Sequence, residues 1–263
     1  VGLVRRTLIP GLVLAVALAG LATPAHADPS DDPQLTDNAL YTSGPIARSS
    51  CAEKPIKRRN HYPTAKAYVT FVIGCLDRVW SKQLAKAGVK YRKPKVSLLS
   101  KDPARFCGYK WPKSSFSDYC ESSRTLVLVL DKTLLNLQPW DLYIFNHVAS
   151  LYGTHVQVLT GIDDAMREAI PESGEPGFAE SLTELGRRTY LQTFCLSGVF
   201  TGSVYKSMPR KAADWKEVVR QMGKEANDFY GSAKSIAYWM NRGFNSRDPK
   251  FCNTWTASNA QVA

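Results

Sequence analysis

Apolar positions follow a helical rhythm over most of this chain, interrupted before the middle by two short runs of a different kind. From Thr64 to Gly88, Tyr68, Val69, Val72, Leu76, Val79, Trp80 and Leu84 recur three or four residues apart. This predicts a helix with one buried face, which Gly88 stops. Lys95–Leu99 and Thr125–Leu130 predict strands, and the Leu-Val-Leu-Val-Leu of the second is apolar enough to be buried on both faces. Between them lies a loop rich in Gly, Pro and Ser, bracketed by Cys107 and Cys120. After Pro139 the helical spacing persists. Trp140–Gly161 and Asp163–Ile170 are separated by a Pro/Gly/Glu break at 171–177 from three further helices, Phe178–Val204, Ala212–Phe229 and Ser232–Arg242. The tail from Phe244 to Ala263 reads as irregular. No internal repeat is visible, and the predicted class is α+β, a small sheet followed by a helical bulk.

The first residues change the picture from a domain to an exported domain. Arg5 and Arg6, an apolar run from Leu8 to Leu21, and Ala25-His26-Ala27 are the three parts of a signal peptide in order, with cleavage expected after Ala27. The apolar run falls short of the ~20 residues of a spanning helix. Val1, where Met is usual, fits a bacterial alternative start codon. Residues 28–50 are polar and rich in Asp, Pro, Ser and Thr, which predicts a flexible leader ahead of one domain over 51–263. No later segment approaches membrane-spanning length.

Six cysteines follow the signal: Cys51, Cys75, Cys107, Cys120, Cys195 and Cys252. In an exported chain an even number implies bridges, and six allow 15 connectivities. Proximity favours Cys107–Cys120, and Cys51–Cys75 with Cys195–Cys252 is the simplest completion. The formal charge of +11 suits an anionic cell-envelope surface. The Lys and Arg residues are dispersed, with one dense cluster at 54–59. No nucleic-acid-binding module accompanies them.

Candidate chemistry centres on Ser150-Leu-Tyr-Gly-Thr-His-Val-Gln-Val-Leu-Thr-Gly161. Around it stand Phe106-Cys107-Gly108, Tyr119-Cys120 leading into Leu126–Asp131, Leu191-Gln192 with Cys195 and Gly198-Val199-Phe200, Tyr230-Gly231-Ser232-Ala233, and Trp239-Met240-Asn241-Arg242-Gly243-Phe244. In this order these segments resemble the neutral zinc metallopeptidase family, whose active-site helix carries His-Glu-x-Gly-His-His-Val-Gln. The resemblance spans about Cys107 to Phe244 and implies a zincin-like, mostly helical, disulfide-stapled fold.

The departures bear on function. A zinc peptidase needs two imidazoles one helical turn apart, and a Glu beside the first to take a proton from the metal-bound water. Alignment on His155-Val156-Gln157 puts Ser150 and Thr154 at the ligand positions and Leu151 at the base. Tyr190 and Phe194 stand where the family's second helix supplies Glu and Asp. No catalytic residue and no metal ligand is therefore assigned. His147 and His155 are about two turns, ~12 Å, apart along one helix and cannot share an ion; they are expected to be hydrogen-bonded structural histidines. His61, the only other histidine past the signal, precedes the first helix. No Gly-x-Ser-x-Gly elbow or phosphate loop occurs. The reading is a non-catalytic member with no cofactor, which binds a peptide, a protein or an anionic envelope component. The alternative is an active zinc enzyme with non-standard ligands. Loss of the ion also leaves a polar hollow to refill. Tyr190 and Phe194 share a helix face, and one of these rings is expected to pack on Leu151 or Thr154.

Overall fold

The computed structural model describes residues 32–54, 56, 58–113, 115–130 and 141–263. The predicted signal peptide, and Trp140 at the start of the predicted active-site helix, lie outside these residues. Nine α-helices and five strands are described: α1 (Pro33–Thr36), α2 (Ala39–Thr42), α3 (Tyr62–Lys86), β1 (Lys95–Leu99), β2 (Arg105–Phe106), β3 (Tyr109–Lys110), β4 (Ser117–Cys120), β5 (Thr125–Val129), α4 (Asp141–Thr160), α5 (Ile162–Glu168), α6 (Phe178–Val204), α7 (Ala212–Met222), α8 (Ala233–Ser246) and α9 (Asn259–Val262). The class is α+β and mostly helical.

The sheet has the order β1-β5-β4. Its central strand is the apolar run: β5 pairs parallel with β1 (Ser97 opposite Val127) and antiparallel with β4 (Tyr119 opposite Leu126). β2 and β3 form a separate hairpin whose turn uses Cys107 and Gly108 at φ 50° and 86°. Three bridges close all six cysteines in the favoured pairing: Cys51–Cys75, Cys107–Cys120 and Cys195–Cys252. The last ties the tail to α6.

The helical layer rests on α6. Gly198, Gly202 and Gly243 let α6 and α8 touch backbone to backbone: a methyl at Gly243 would overlap the Cys195 carbonyl oxygen, and one at Gly198 would stand 2.9 Å from Phe244 N. On its other side α6 packs on α4, where Phe145 stacks on Phe200 at 5.3 Å between ring centroids. The start of α4 is held by a compact ionic network. The Asp141 carboxylate takes both guanidinium nitrogens of Arg59, Arg210 Nε lies 2.7 Å from Glu53 Oε2, and Tyr68 donates to Glu53 and to Asp141 O.

Four expectations need correction. Residues 32–50 are not a flexible leader, because the polar stretch carries anchors. Leu35, Leu40, Tyr41 and Ile46 are buried, and Gln34 Nε2 and Asn38 Nδ2 donate to Thr160 O at 2.7 and 3.0 Å, capping the C-terminus of α4. The helix predicted over Ala212–Phe229 ends at Met222 and continues only as a 3-10 turn, Gly223–Glu225. The Asn227 side chain then accepts from Phe229 N and Tyr230 N, a local bond that competes with the helix ladder. The tail is less irregular than expected: α8 runs on to Ser246, and Ser258 and Gln261 form a capping box that starts α9. Finally, three strands, β2 to β4, lie inside the Gly/Pro/Ser-rich loop.

Candidate functional site

The face where α4 meets α6 is set by small and polar residues. Gly153 is the point of closest approach, where a Cβ would lie 3.1 Å from Thr193 Cβ. One turn earlier, Ser150 is buried with its Oγ 3.1 Å from Thr193 Oγ1. Thr193 already donates its hydroxyl proton to Tyr190 O at 2.8 Å, so Ser150 donates and Thr193 accepts. The seam continues in both directions. Asn146 Nδ2 donates to Thr201 Oγ1 (3.1 Å), and Gln157 Nε2 donates to Gln192 Oε1 (2.8 Å) and Thr189 O (3.0 Å). Gln192 Nε2 in turn reaches Tyr41 OH (2.7 Å) and Cys252 O (3.1 Å), joining the seam to the N-terminal segment and the tail.

The other motif positions go elsewhere. Leu151 is partly buried and packs on the core, and Thr154 is also partly buried. Phe194 is 5% exposed, whereas Tyr190 is 40% exposed. Both rings meet Tyr230 edge-on, with centroids at 6.2 and 4.5 Å. Phe194 enters the interior, Tyr190 stands at the rim, and Thr193, between them in sequence, closes the seam.

The histidines are structural. His155 is fully buried; its Nε2–H donates to Arg92 O at 2.7 Å, which leaves Nδ1 to accept from Tyr119 OH at 2.7 Å. The ring is thus held neutral, and burial lowers its pKa. Tyr152, one turn earlier, shares Asp77 Oδ1 with Tyr91, each at 2.8 Å. His147 Nε2 lies 2.7 Å from Ser117 Oγ and its ring packs on Phe116 at 4.3 Å; burial depresses its pKa to about 4. His61 Nδ1 bonds Thr64 Oγ1 (2.9 Å) in the first turn of α3. Among the described residues each imidazole serves a different contact.

The donor set at the motif positions does not fit zinc. Serine and threonine hydroxyls, a leucine, a tyrosine and a phenylalanine offer no imidazole or carboxylate, and Ser150's hydroxyl already serves Thr193. Among the described residues, no group of three or more His, Cys, Asp or Glu could hold a metal ion. The sequence reading missed the Gln157–Gln192 pair and the glycine contacts of α6, although both lay in segments it had singled out.

Comparison with known proteins gives a family match over most of the chain. A family model described as "putative neutral zinc metallopeptidase" matches residues 40–255. Two curated relatives, both the uncharacterized protein YpfJ, come from Escherichia coli K12 and from E. coli O6:H1 strain CFT073. Each is 23% identical over 216 residues, covering 74% of this chain and 72% of its own length. No solved structure matches.

Proposed function

Since the chain belongs to the neutral zinc metallopeptidase family, we propose that it is a member that works by binding rather than by catalysis, exported to the cell envelope. The observation that carries this reading is the set of side chains at the motif positions. Ser150, Leu151, Thr154, Tyr190 and Phe194 replace every imidazole and carboxylate that hydrolysis would use. Leu151 cannot accept a proton from a water, and neither Tyr190 nor Phe194 supplies an acidic ligand. Three closed bridges suit an oxidising compartment, and no described helix is long and apolar enough to cross a membrane. A charge of +11 favours an anionic partner.

The test is elemental analysis of the purified chain together with a peptide-cleavage assay, each with and without added zinc and chelator. No stoichiometric zinc and no cleavage are expected. One zinc per chain with chelator-sensitive proteolysis would establish the alternative, an active enzyme with non-standard ligands. The combined change Ser150→His, Leu151→Glu, Thr154→His is expected to leave peptidase activity short of full restoration, because the second helix still lacks its acid.

A further inference from the structure

The segment from Ser43 to Glu53 lies antiparallel along α3. Gln83 Nε2 donates to Gly44 O (2.6 Å), Arg78 donates to Ser50 O, Cys51 is bonded to Cys75, and Tyr68 donates to Glu53. Between segment and helix runs a groove of about 660 Å³ whose lining includes Ser49, Phe71, Gly74 and Arg78. Gly74 keeps it open, since a Cβ there would meet nothing within 4 Å.

Both banks are cationic. Arg48 stands on the segment and Lys54 just beyond its end, and Arg78, Lys82 and Lys86 stand on α3, all five exposed. Among the described residues none of the five takes part in an ion pair. The only carboxylate of α3, Asp77, is engaged by Tyr91, Tyr152 and Lys93, and Glu53 of the segment is buried against Arg210. Arg78, Lys82 and Lys86 stand at ~6 Å intervals of rise, so this row extends ~12 Å along the helix. An uncompensated row of charges flanking a concave floor concentrates counter-charge along a line.

We infer that this groove binds a linear polyanion of the cell envelope, a single chain lying along α3 with its charges on the five cations. The inference rests on the envelope-binding reading and places the contact away from the α4–α6 face. A bilayer is the poorer occupant. Among the described residues, the exposed large hydrophobic side chains (Val96, Tyr109, Tyr190, Phe229, Tyr238 and Phe251) all lie outside α3 and the segment, so neither offers one to lipid.

The experiment titrates the full chain against polyglycerol phosphate by calorimetry and, in parallel, tests co-sedimentation with phosphatidylglycerol vesicles. Affinity for the polymer is expected to fall between about 50 and about 200 mM salt, with a log–log slope near −3.5 for five contacts at ~0.7 each. The variant Arg78→Gln/Lys82→Gln/Lys86→Gln should bind at least about tenfold more weakly, with the slope reduced by about 2. Gly74→Leu, whose Cβ meets nothing within 4 Å, projects into the groove and should also weaken binding at least about fivefold, while its melting temperature holds or rises. Absence of polymer binding at low salt overturns the inference, as does binding to vesicles alone. Variants that bind like the parent also overturn it, but leave envelope binding standing elsewhere on the surface. The non-catalytic reading is judged separately, by zinc content.

Discussion

Replacing Gly243 with Ala tests the packing on which the helical layer rests. In an exposed helix interior this change stabilises by about 1 kcal/mol, because alanine has less backbone freedom to lose. At Gly243 the added methyl would overlap Cys195 O and stand 2.9 Å from both Cys195 C and Val199 N. Real Cβ atoms do not come that close, and all three neighbours are backbone, so no side chain can rotate away. α8 would have to move off α6 by roughly an ångström along a contact that also includes Gly198 against Met240 O and Gly202 against Phe244 O. Overpacking of this kind costs about 1–3 kcal/mol, and more where backbone must shift. The expected net effect is a loss of about 2–3 kcal/mol.

Gly74→Ala is the internal control. It is also helical, but its Cβ meets open space, so it should gain about 0.5–1 kcal/mol. Urea unfolding of both variants with the disulfides intact measures the contrast, and the midpoints should move in opposite directions. A Gly243→Ala protein as stable as Gly74→Ala would refute the backbone-contact account of α6 and α8.

Three further outcomes follow from particular contacts. His147 has a native pKa of about 4 against an unfolded value near 6.5, so the unfolded chain binds the extra proton between them. Its contribution is therefore whole above about pH 6.5 and is lost as pH falls toward 4; urea midpoints of His147→Gln should drop less than the parent's across that window, and equal drops would refute it. Asp141→Ala leaves Arg59 without its partner and Arg210 with Glu53 alone, and should cost about 3 kcal/mol or more by urea unfolding; a loss under about 1 would show the network to be solvated. Replacing Cys195 and Cys252 by Ala opens a span of 57 residues and should lower stability by about 4 kcal/mol in the chain-entropy account, and an unchanged melting temperature would contradict it.

The long helices were legible because their apolar spacing is sustained: the range predicted for α6 is the range observed, and β1 likewise. The bridge Cys107–Cys120 was legible because a loop of 13 residues has few closer partners. Elements specified by partners were not. β4 is four residues long with no alternation, and it exists because Tyr119 and Cys120 pair with β5. α1 and α2 are four residues each; they form where Asp32 and Asn38 cap them and Leu35 and Leu40 are buried, none of which composition reveals. At the candidate site, the aligned positions Ser150 and Thr154 fall on α4, and Tyr190 and Phe194 on α6. Alignment could not say that Thr193, an unremarked residue between Tyr190 and Phe194, receives Ser150 and meets Gly153.

That contact bears on how the two helices that carry the motif positions are held together. A metal that joins two helices contributes folding free energy as well as chemistry. Here α4 and α6 are joined by hydrogen bonds spaced along their whole contact: Asn146 to Thr201, Ser150 to Thr193, and Gln157 to Thr189 and Gln192. Each such bond contributes about 1 kcal/mol, and leaving one member unpaired in the interior costs more than the bond supplies. The seam therefore fixes register as well as proximity, because sliding α4 by one turn would orphan several buried amides and hydroxyls at once. The disulfide from Cys195 to Cys252 then anchors the tail on α6, and Gln192, bonded to both Tyr41 and Cys252 O, extends the same network to the two ends of the domain. The helices are thus clamped by their own side chains across the face that carries Ser150 and Gly153.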